Sequence, residues 1–211
     1  MRLNEFDCTG EKPITVFYTD DSNGGGMTFA QDFIPTIKRL YPNRKFGKAF
    51  DWCSGAGFIG FSLLSHGLCD SLCLNDLFSP DIYAIKQTIE HPSNKFTDNV
   101  SVYLLNDIAN LPIKEMFDLV VANPPHYKSY ISTGHNWNRI GTDLDWKAHK
   151  SFFKSIKSHL NPNAVILLLE SIDDSSIKEF EPMINDAGLR IVNIHDSTGG
   201  LCFIEIQESP N

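Results

Sequence analysis

The chain lacks any run approaching the ~18 to 20 consecutive apolar residues that cross a bilayer, so no membrane span is expected. The opening residues, MRLNEFDCTGEKP, carry no apolar secretory core, and export is not expected. Close cysteine pairs are missing as well. The five cysteines are an odd number without CxxC spacing, which points to reduced thiols in a cytoplasmic protein, and neither they nor the histidines have metal-ligand spacing. Positive charge is short: 18 Lys and Arg against 26 Asp and Glu leave a net charge of −8. That sign disfavours an extended nucleic acid as partner. One basic cluster, Lys38, Arg39, Arg44, Lys45 and Lys48, reads as a solvated helix end and turn. Repeats and low-complexity tracts are absent. What is present is an ordinary globular mixture, 42% apolar and rich in Phe, in 211 residues that can bury the core of one domain.

Periodicity organises the chain. Residues 1–27 form a polar N-terminal segment with a glycine-rich hinge, TDDSNGGG, from Thr19 to Gly26, and Phe6, Phe17 and Tyr18 suit it to folding over a ligand as a lid. Residues 28–211 alternate between strand and helix. Helices are predicted over Thr28–Tyr41, Phe58–Ser65, Pro80–Ile89, Trp146–Leu160 and Ile177–Ala187. Strands are predicted over Lys48–Cys53, Ser71–Asn75, Val100–Leu105, Phe117–Ala122, Ala164–Leu169, Leu189–Ile194 and Leu201–Ile206. This alternation implies an α/β, doubly wound, mostly parallel seven-stranded sheet with ligands at the carboxyl ends of its strands. Only HDSTGG separates the last two strands, too short for a parallel crossover, so they close the sheet as an antiparallel hairpin.

Two strand ends carry chemistry. The first is Phe50-Asp51-Trp52-Cys53-Ser54-Gly55-Ala56-Gly57-Phe58-Ile59-Gly60, a literal GxGxxG. Glycine is needed where backbone turns tightly or approaches a ligand, and the pattern alone serves several nucleoside cofactors. Asp51, before the turn, suits a cofactor bearing ammonium and sulfonium charge better than a pyrophosphate; its plainer role would be to cap the turn. Asp76, ending the next strand, is placed to accept ribose hydroxyls. After the third strand, Asp107 could accept from an adenine amine with Ile108 against the ring.

The second is Val120-Val121-Ala122-Asn123-Pro124-Pro125-His126-Tyr127. Two prolines directly after an apolar strand end its ladder in a stiff turn. The turn presents the Asn123 side-chain oxygen and the Pro124 carbonyl, two acceptors that can each take one N–H of an –NH₂ group. Such a grip draws a planar nitrogen toward tetrahedral geometry and aims its lone pair at a methyl carbon. His126 is placed to stack on the substrate plane.

These residues resemble the class I methyltransferases of the Asn-Pro-Pro-aromatic type, over about Phe50 to Glu170. That group includes protein-glutamine methyltransferases and adenine methyltransferases acting on RNA or DNA. The resemblance implies a Rossmann-like fold with a C-terminal antiparallel hairpin and S-adenosylmethionine as cofactor. It places Asp51, Gly55, Gly57, Asp76 and Asp107 in the cofactor pocket, with Asn123 and Pro124 on the target amine. One departure stands out: His126 occupies a position usually held by Tyr, Phe or Trp, and Tyr127 could share the stacking.

On the substrate side, the loop from Tyr127 to Lys147 is long enough to act as a functional lid, with Tyr130, His135, Trp137, Arg139 and Trp146 as its candidate contacts. The equal alternative is that Trp137 and Trp146 pack the loop onto the following helix. His149 reads as an interior histidine, and His195 and Ser197 could border the pocket. The segment before the first helix is too short for the helical substrate domain of the glutamine methyltransferases. With the acidic surface, this points to a small-molecule amine or a protein segment as acceptor. The competing readings are adenine methylation of RNA or DNA, other chemistry on S-adenosylmethionine, an NAD(P)-dependent oxidoreductase, which leaves NPPH without a role, and a nucleoside-binding module without turnover.

Overall fold

The computed structural model describes residues 3–20, 26–94, 99–105, 107–130, 140–175 and 177–210. The chain divides into two units, Met1–Leu104 and Leu105–Asn211.

In the first unit, β1 (Asn4–Cys8) and β2 (Ile14–Tyr18) form an antiparallel hairpin, followed by α1 (Gly26–Leu40), β3 (Phe46–Trp52), α2 (Phe58–Ser65), β4 (Cys69–Asp76), α3 (Ser79–Glu90) and β5 (Val100–Leu104). Strands β3, β4 and β5 pair in parallel. Helix α2, FIGFSLLS, is buried at all but one of its eight residues. A helix apolar all round needs cover on every side, and the hairpin supplies the outer cover. The Gly10 N–H donates to Ser65 Oγ at 2.9 Å, Lys12 N–H donates to the Ser65 carbonyl at 2.9 Å, and Cys8 Sγ lies 3.3 Å from Ser62 Oγ. The approach is close enough that a Cβ on Gly10 would lie 2.4 Å from the Ser65 backbone. Residues 21–25 of the expected hinge lie outside the described residues.

In the second unit, a 3₁₀ turn (Ile108–Asn110) leads to β6 (Phe117–Ala122). A second 3₁₀ turn (Leu144–Trp146) precedes α4 (Lys147–Ile156), then β7 (Leu160–Ser171), α5 (Ile177–Asp186), β8 (Leu189–Asp196) and β9 (Leu201–Glu208). Strands β6 and β7 are parallel, and β9 runs antiparallel to both β7 and β8. Leu119 to Ala122 and Val165 to Leu169 have no measurable exposure, the mark of central strands covered on both faces. Each such Leu, Ile or Val contributes about 1.5–3 kcal/mol on burial. The β8–β9 turn needs Gly199 and Gly200, at φ 67° and 77°.

The seven strands run in the order β5-β4-β3-β6-β7-β9-β8. This is the expected α/β sheet with its antiparallel end. Helix α2 and strand β6 have the expected bounds. The helix expected over Trp146–Leu160 ends at Ile156 and continues as a 3₁₀ turn, Lys157–His159, while β7 starts four residues before the expected Ala164. The five cysteines are free, and no described helix is long and apolar enough to cross a membrane.

Candidate active site

At the glycine turn, the chain leaves β3 through Cys53, itself left-handed at φ 56°, a conformation costly for a residue with a Cβ. Gly57 (φ 85°) is the N-cap of α2. Gly60 serves packing, since a Cβ there would lie 2.8 Å from Leu72 and Leu74. The carboxylates hold this turn together. Asp51 Oδ2 accepts from Gly60 N–H at 2.8 Å, so the capping role belongs to it. Asp76 Oδ2 accepts from Gly55 N–H at 2.8 Å, and its Oδ1 accepts from Leu77 and Phe78 N–H at 2.7 and 2.8 Å, tying the turn to the start of α3.

Asp51 is fully buried, and burial raises its carboxyl from 3.8 to about 8 against the opposing Gly60 hydrogen bond. Asp51 Oδ1 and Ser54 Oγ find no hydrogen-bond partner among the described residues. Orphaned buried polar atoms are costly. Two of them at one glycine turn fit the donor and acceptor groups of a polar cofactor.

Asp107 caps the 3₁₀ turn of the second unit. Its Oδ1 accepts from Ser151 Oγ at 2.5 Å and from Ala109 N–H at 2.9 Å, and these bonds hold its carboxyl below the ordinary value. Ile108 is buried.

The Asn-Pro-Pro-His corner leaves β6 into a cluster of polar side chains. His126 Nε2 lies 3.1 Å from Asn123 Oδ1. Among the described residues no backbone N–H reaches Asn123 Oδ1 or the Pro124 carbonyl. His126 Nδ1 faces Glu170 Oε2 and Ser175 Oγ, each at 3.4 Å. Glu170 Oε1 lies 3.2 Å from His149 Nε2, and His149 Nδ1 lies 2.7 Å from Asp143 Oδ2. His149 has no exposed surface and stacks on Phe180 at 4.5 Å. Burial lowers the His149 pKa, but the hydrogen bonds with Asp143 and Glu170 outweigh it and raise it to about 9. For Asp143 and Glu170, burial pushes upward and the histidines prevail, leaving both below their ordinary values. Sequence reading placed His149 in the interior; it missed Glu170 and Asp143.

The long loop is pinned at its base. Tyr127 N–H donates to the Gly141 carbonyl at 2.9 Å, and Asp143 and Asp145 N–H donate to the carbonyls of Tyr127 and Lys128 at 2.8 and 3.1 Å. Trp146 is buried against Phe180 and His149, with Nε1–H donating to Glu179 Oε2 at 3.0 Å, so this tryptophan packs the loop onto the helix. Tyr127 is half-buried and Tyr130 is exposed, while His135, Trp137 and Arg139 lie outside the described residues. His195 is buried against Glu205, with Nε2 at 2.8 Å from Oε2. In the basic cluster, Lys45 pairs with Asp70 and the Arg44 guanidinium lies over the Phe46 ring.

No protein-family model and no curated protein matches the chain. Solved structures do. The T. thermophilus 16S rRNA N2 G1207 methyltransferase RsmC, in complex with AdoMet and guanosine, superposes with a TM-score of 0.67 at 13% identity, over 100% of this chain and 51% of that one. A ribosomal protein L11 methylase from Lactobacillus delbrueckii subsp. bulgaricus gives 0.63 at 14% identity, covering 89% of this chain and 80% of its own. An S-adenosylmethionine-dependent methyltransferase from Clostridium acetobutylicum gives 0.62 at 14% identity, covering 87% and 92%. At such identities the likeness establishes the fold, a Rossmann-like methyltransferase fold.

Proposed function

We propose that the chain is an S-adenosylmethionine-dependent methyltransferase whose acceptor is a planar amine or amide nitrogen. The observation that carries this reading is the state of the corner. Asn123 Oδ1 has one side-chain partner, His126, and two lone pairs, so it retains capacity for a substrate N–H. The Pro124 carbonyl is met by no described backbone donor.

S-adenosylmethionine, when bound, supplies an electrophilic methyl group on a sulfonium. The chain's residues do the rest. The turn at Gly55 and Gly57, with Asp51 and Asp76 holding it, binds the cofactor; in the second unit, Asp107 and Ile108 are the residues that the sequence, read with the resemblance, assigns to its adenine. Asn123 and Pro124 take the two amine hydrogens and orient the nitrogen lone pair, and orientation of this kind can supply ~7 kcal/mol or more. Attack makes the nitrogen acidic, so its proton passes to water without a strong base. His126 offers its face to the acceptor plane, and Tyr127 and Tyr130 are the described residues assigned to the acceptor side. The N-terminal hairpin, whose Phe6 and Tyr18 rest edge-on against Phe58 at 5.5 and 5.2 Å, would steady the turn as a cover.

The acceptor is a small-molecule amine or a protein side chain, as the charge of −8 favours. A second reading is favoured by the likeness to RsmC: the exocyclic amine of a nucleobase is equally planar, and Asn123 and Pro124 would hold it in the same way. Incubation with S-adenosylmethionine and an acceptor panel, comprising a glutamine-containing peptide, adenosine and guanosine, tests both by mass spectrometry. The expected products are S-adenosylhomocysteine and a nitrogen-methylated acceptor. Methylthioadenosine in their place would show that a different carbon of the cofactor is transferred and overturn the reading.

A further inference from the structure

Both nitrogens of the His126 ring face side-chain oxygens. Nε2 faces Asn123 Oδ1 at 3.1 Å, and Nδ1 faces Glu170 Oε2 and Ser175 Oγ at 3.4 Å. A phenylalanine or tyrosine in this position could stack but could not bridge Asn123 to Glu170. Behind it the contacts continue from Glu170 to His149 and from His149 to Asp143, which also accepts the Ala148 and His149 N–H groups at 2.9 and 3.0 Å. The chain of side chains therefore alternates amide, imidazole, carboxylate, imidazole, carboxylate, and its last three members are almost wholly buried. Apolar residues of similar volume in such a place are often neutral or stabilising, so stability alone does not account for the arrangement.

An asparagine amide has a second arrangement close at hand. Rotation by half a turn about its terminal torsion exchanges oxygen and NH₂, and that torsion is soft. With the NH₂ toward an acceptor amine, donor would meet donor and the grip would fail. The oxygen is selected when the ring donates from both nitrogens, Nδ1–H to the Glu170 carboxylate and Nε2–H to Asn123 Oδ1.

We propose that Glu170 is a positioning residue for methyl transfer: through His126 it fixes the Asn123 side-chain oxygen for the acceptor nitrogen. This rests on the reading of the corner as an amine clamp. Glu170 touches neither acceptor nor cofactor in this role.

The test is a double-mutant cycle with a conservative rescue. Glu170→Met removes the partner of Nδ1, and kcat should fall by up to about 100-fold, the scale of an ångström's misplacement, with S-adenosylhomocysteine affinity unchanged. Glu170→Gln keeps a polar partner and should recover part of that loss. His126→Phe keeps the flat ring, and the double variant Glu170→Met/His126→Phe should be no slower than His126→Phe, because Glu170 acts through the ring. Multiplying losses, or a parallel fall in cofactor affinity, would overturn the assignment. Nitrogen-15 NMR of the histidine rings supplies an arm that needs neither turnover nor Glu170→Met to fold. The His126 signals, identified by their loss in His126→Phe, should shift in Glu170→Gln; unchanged signals would overturn the proposal. That arm stands whether or not methylated product is found, so failure of this inference and failure of the methyl-transfer reading are separable.

Discussion

The glycine turn and the Asn-Pro-Pro-His corner both end buried strands, and both are built around acids, yet they use them differently. At the turn, Asp51 and Asp76 accept from backbone N–H groups, those of Gly60, Gly55, Leu77 and Phe78. At the corner, Glu170 bridges two histidines, and Asp143 combines one of those histidines with two backbone N–H groups. Acids of the first kind shape a loop. Acids of the second kind set the direction and protonation of rings. A turn so built can receive a cofactor through its backbone, whereas the corner can present one oriented oxygen.

The largest expected effect breaks the corner's interior. His149→Leu leaves Asp143 and Glu170 without the cation between them, and a buried pair broken in this way costs about 3–5 kcal/mol. Urea unfolding should show that loss, and a loss below about 1 kcal/mol would mean the imidazole carries little. Next, Asn123→Ala should lower kcat about 100-fold, or about 2.7 kcal/mol, with cofactor affinity within about twofold, because it removes a grip on the reacting amine alone. Asp76→Ala should do the reverse, weakening S-adenosylhomocysteine binding by about 10-fold, the worth of one charged hydrogen bond. Equal behaviour of these two variants in calorimetry and steady-state kinetics would erase the division between the regions.

The smallest effect per step is a pH slope, and it separates the regions where their two windows do not overlap. Asp51 holds a proton in the folded state from its ordinary 3.8 up to about 8, so its ionisation lowers stability as pH rises through that range. His149 is raised from 6.5 to about 9, so its stabilisation is complete below 6.5 and is lost as pH rises through 9. Each slope is at most about 1.4 kcal/mol per pH unit. Asp51→Asn should remove the slope below pH 6.5, where Asp51 titrates without His149, and leave the slope between 8 and 9; thermal unfolding from pH 4 to 10 reads both. A slope unchanged in Asp51→Asn would place the lower titration elsewhere.

The same contrast explains what could be read from the sequence. The glycine turn and its two aspartates are local: strand, turn and helix lie within one stretch, and their spacing foretells them. Strand β6 was plain from FDLVVA and its prolines. Glu170, by contrast, sits 44 residues from His126, just past the apolar run of β7, where nothing local marks it as a partner. Asp143 lies in the long loop with nothing local to mark it, and the left-handed Asp145 and Trp146 that redirect the chain into α4 carry no glycine to announce them. Strand β7 begins at Leu160 but takes up continuous pairing with β6 only from Val165, and the turn-like Asn161-Pro162-Asn163, with Asn163 left-handed at φ 63°, falls in the irregularity between. The N-terminal hairpin was legible in the alternation Ile14-Thr15-Val16, had the polar opening been read by period two.

The measurement that bears most directly on the whole account is calorimetric titration of the wild-type chain with S-adenosylhomocysteine, set beside NADH under the same conditions. One saturable site for S-adenosylhomocysteine, weakened by Asp76→Ala and untouched by Asn123→Ala, is the expected result. Heat of binding from NADH alone would contradict it.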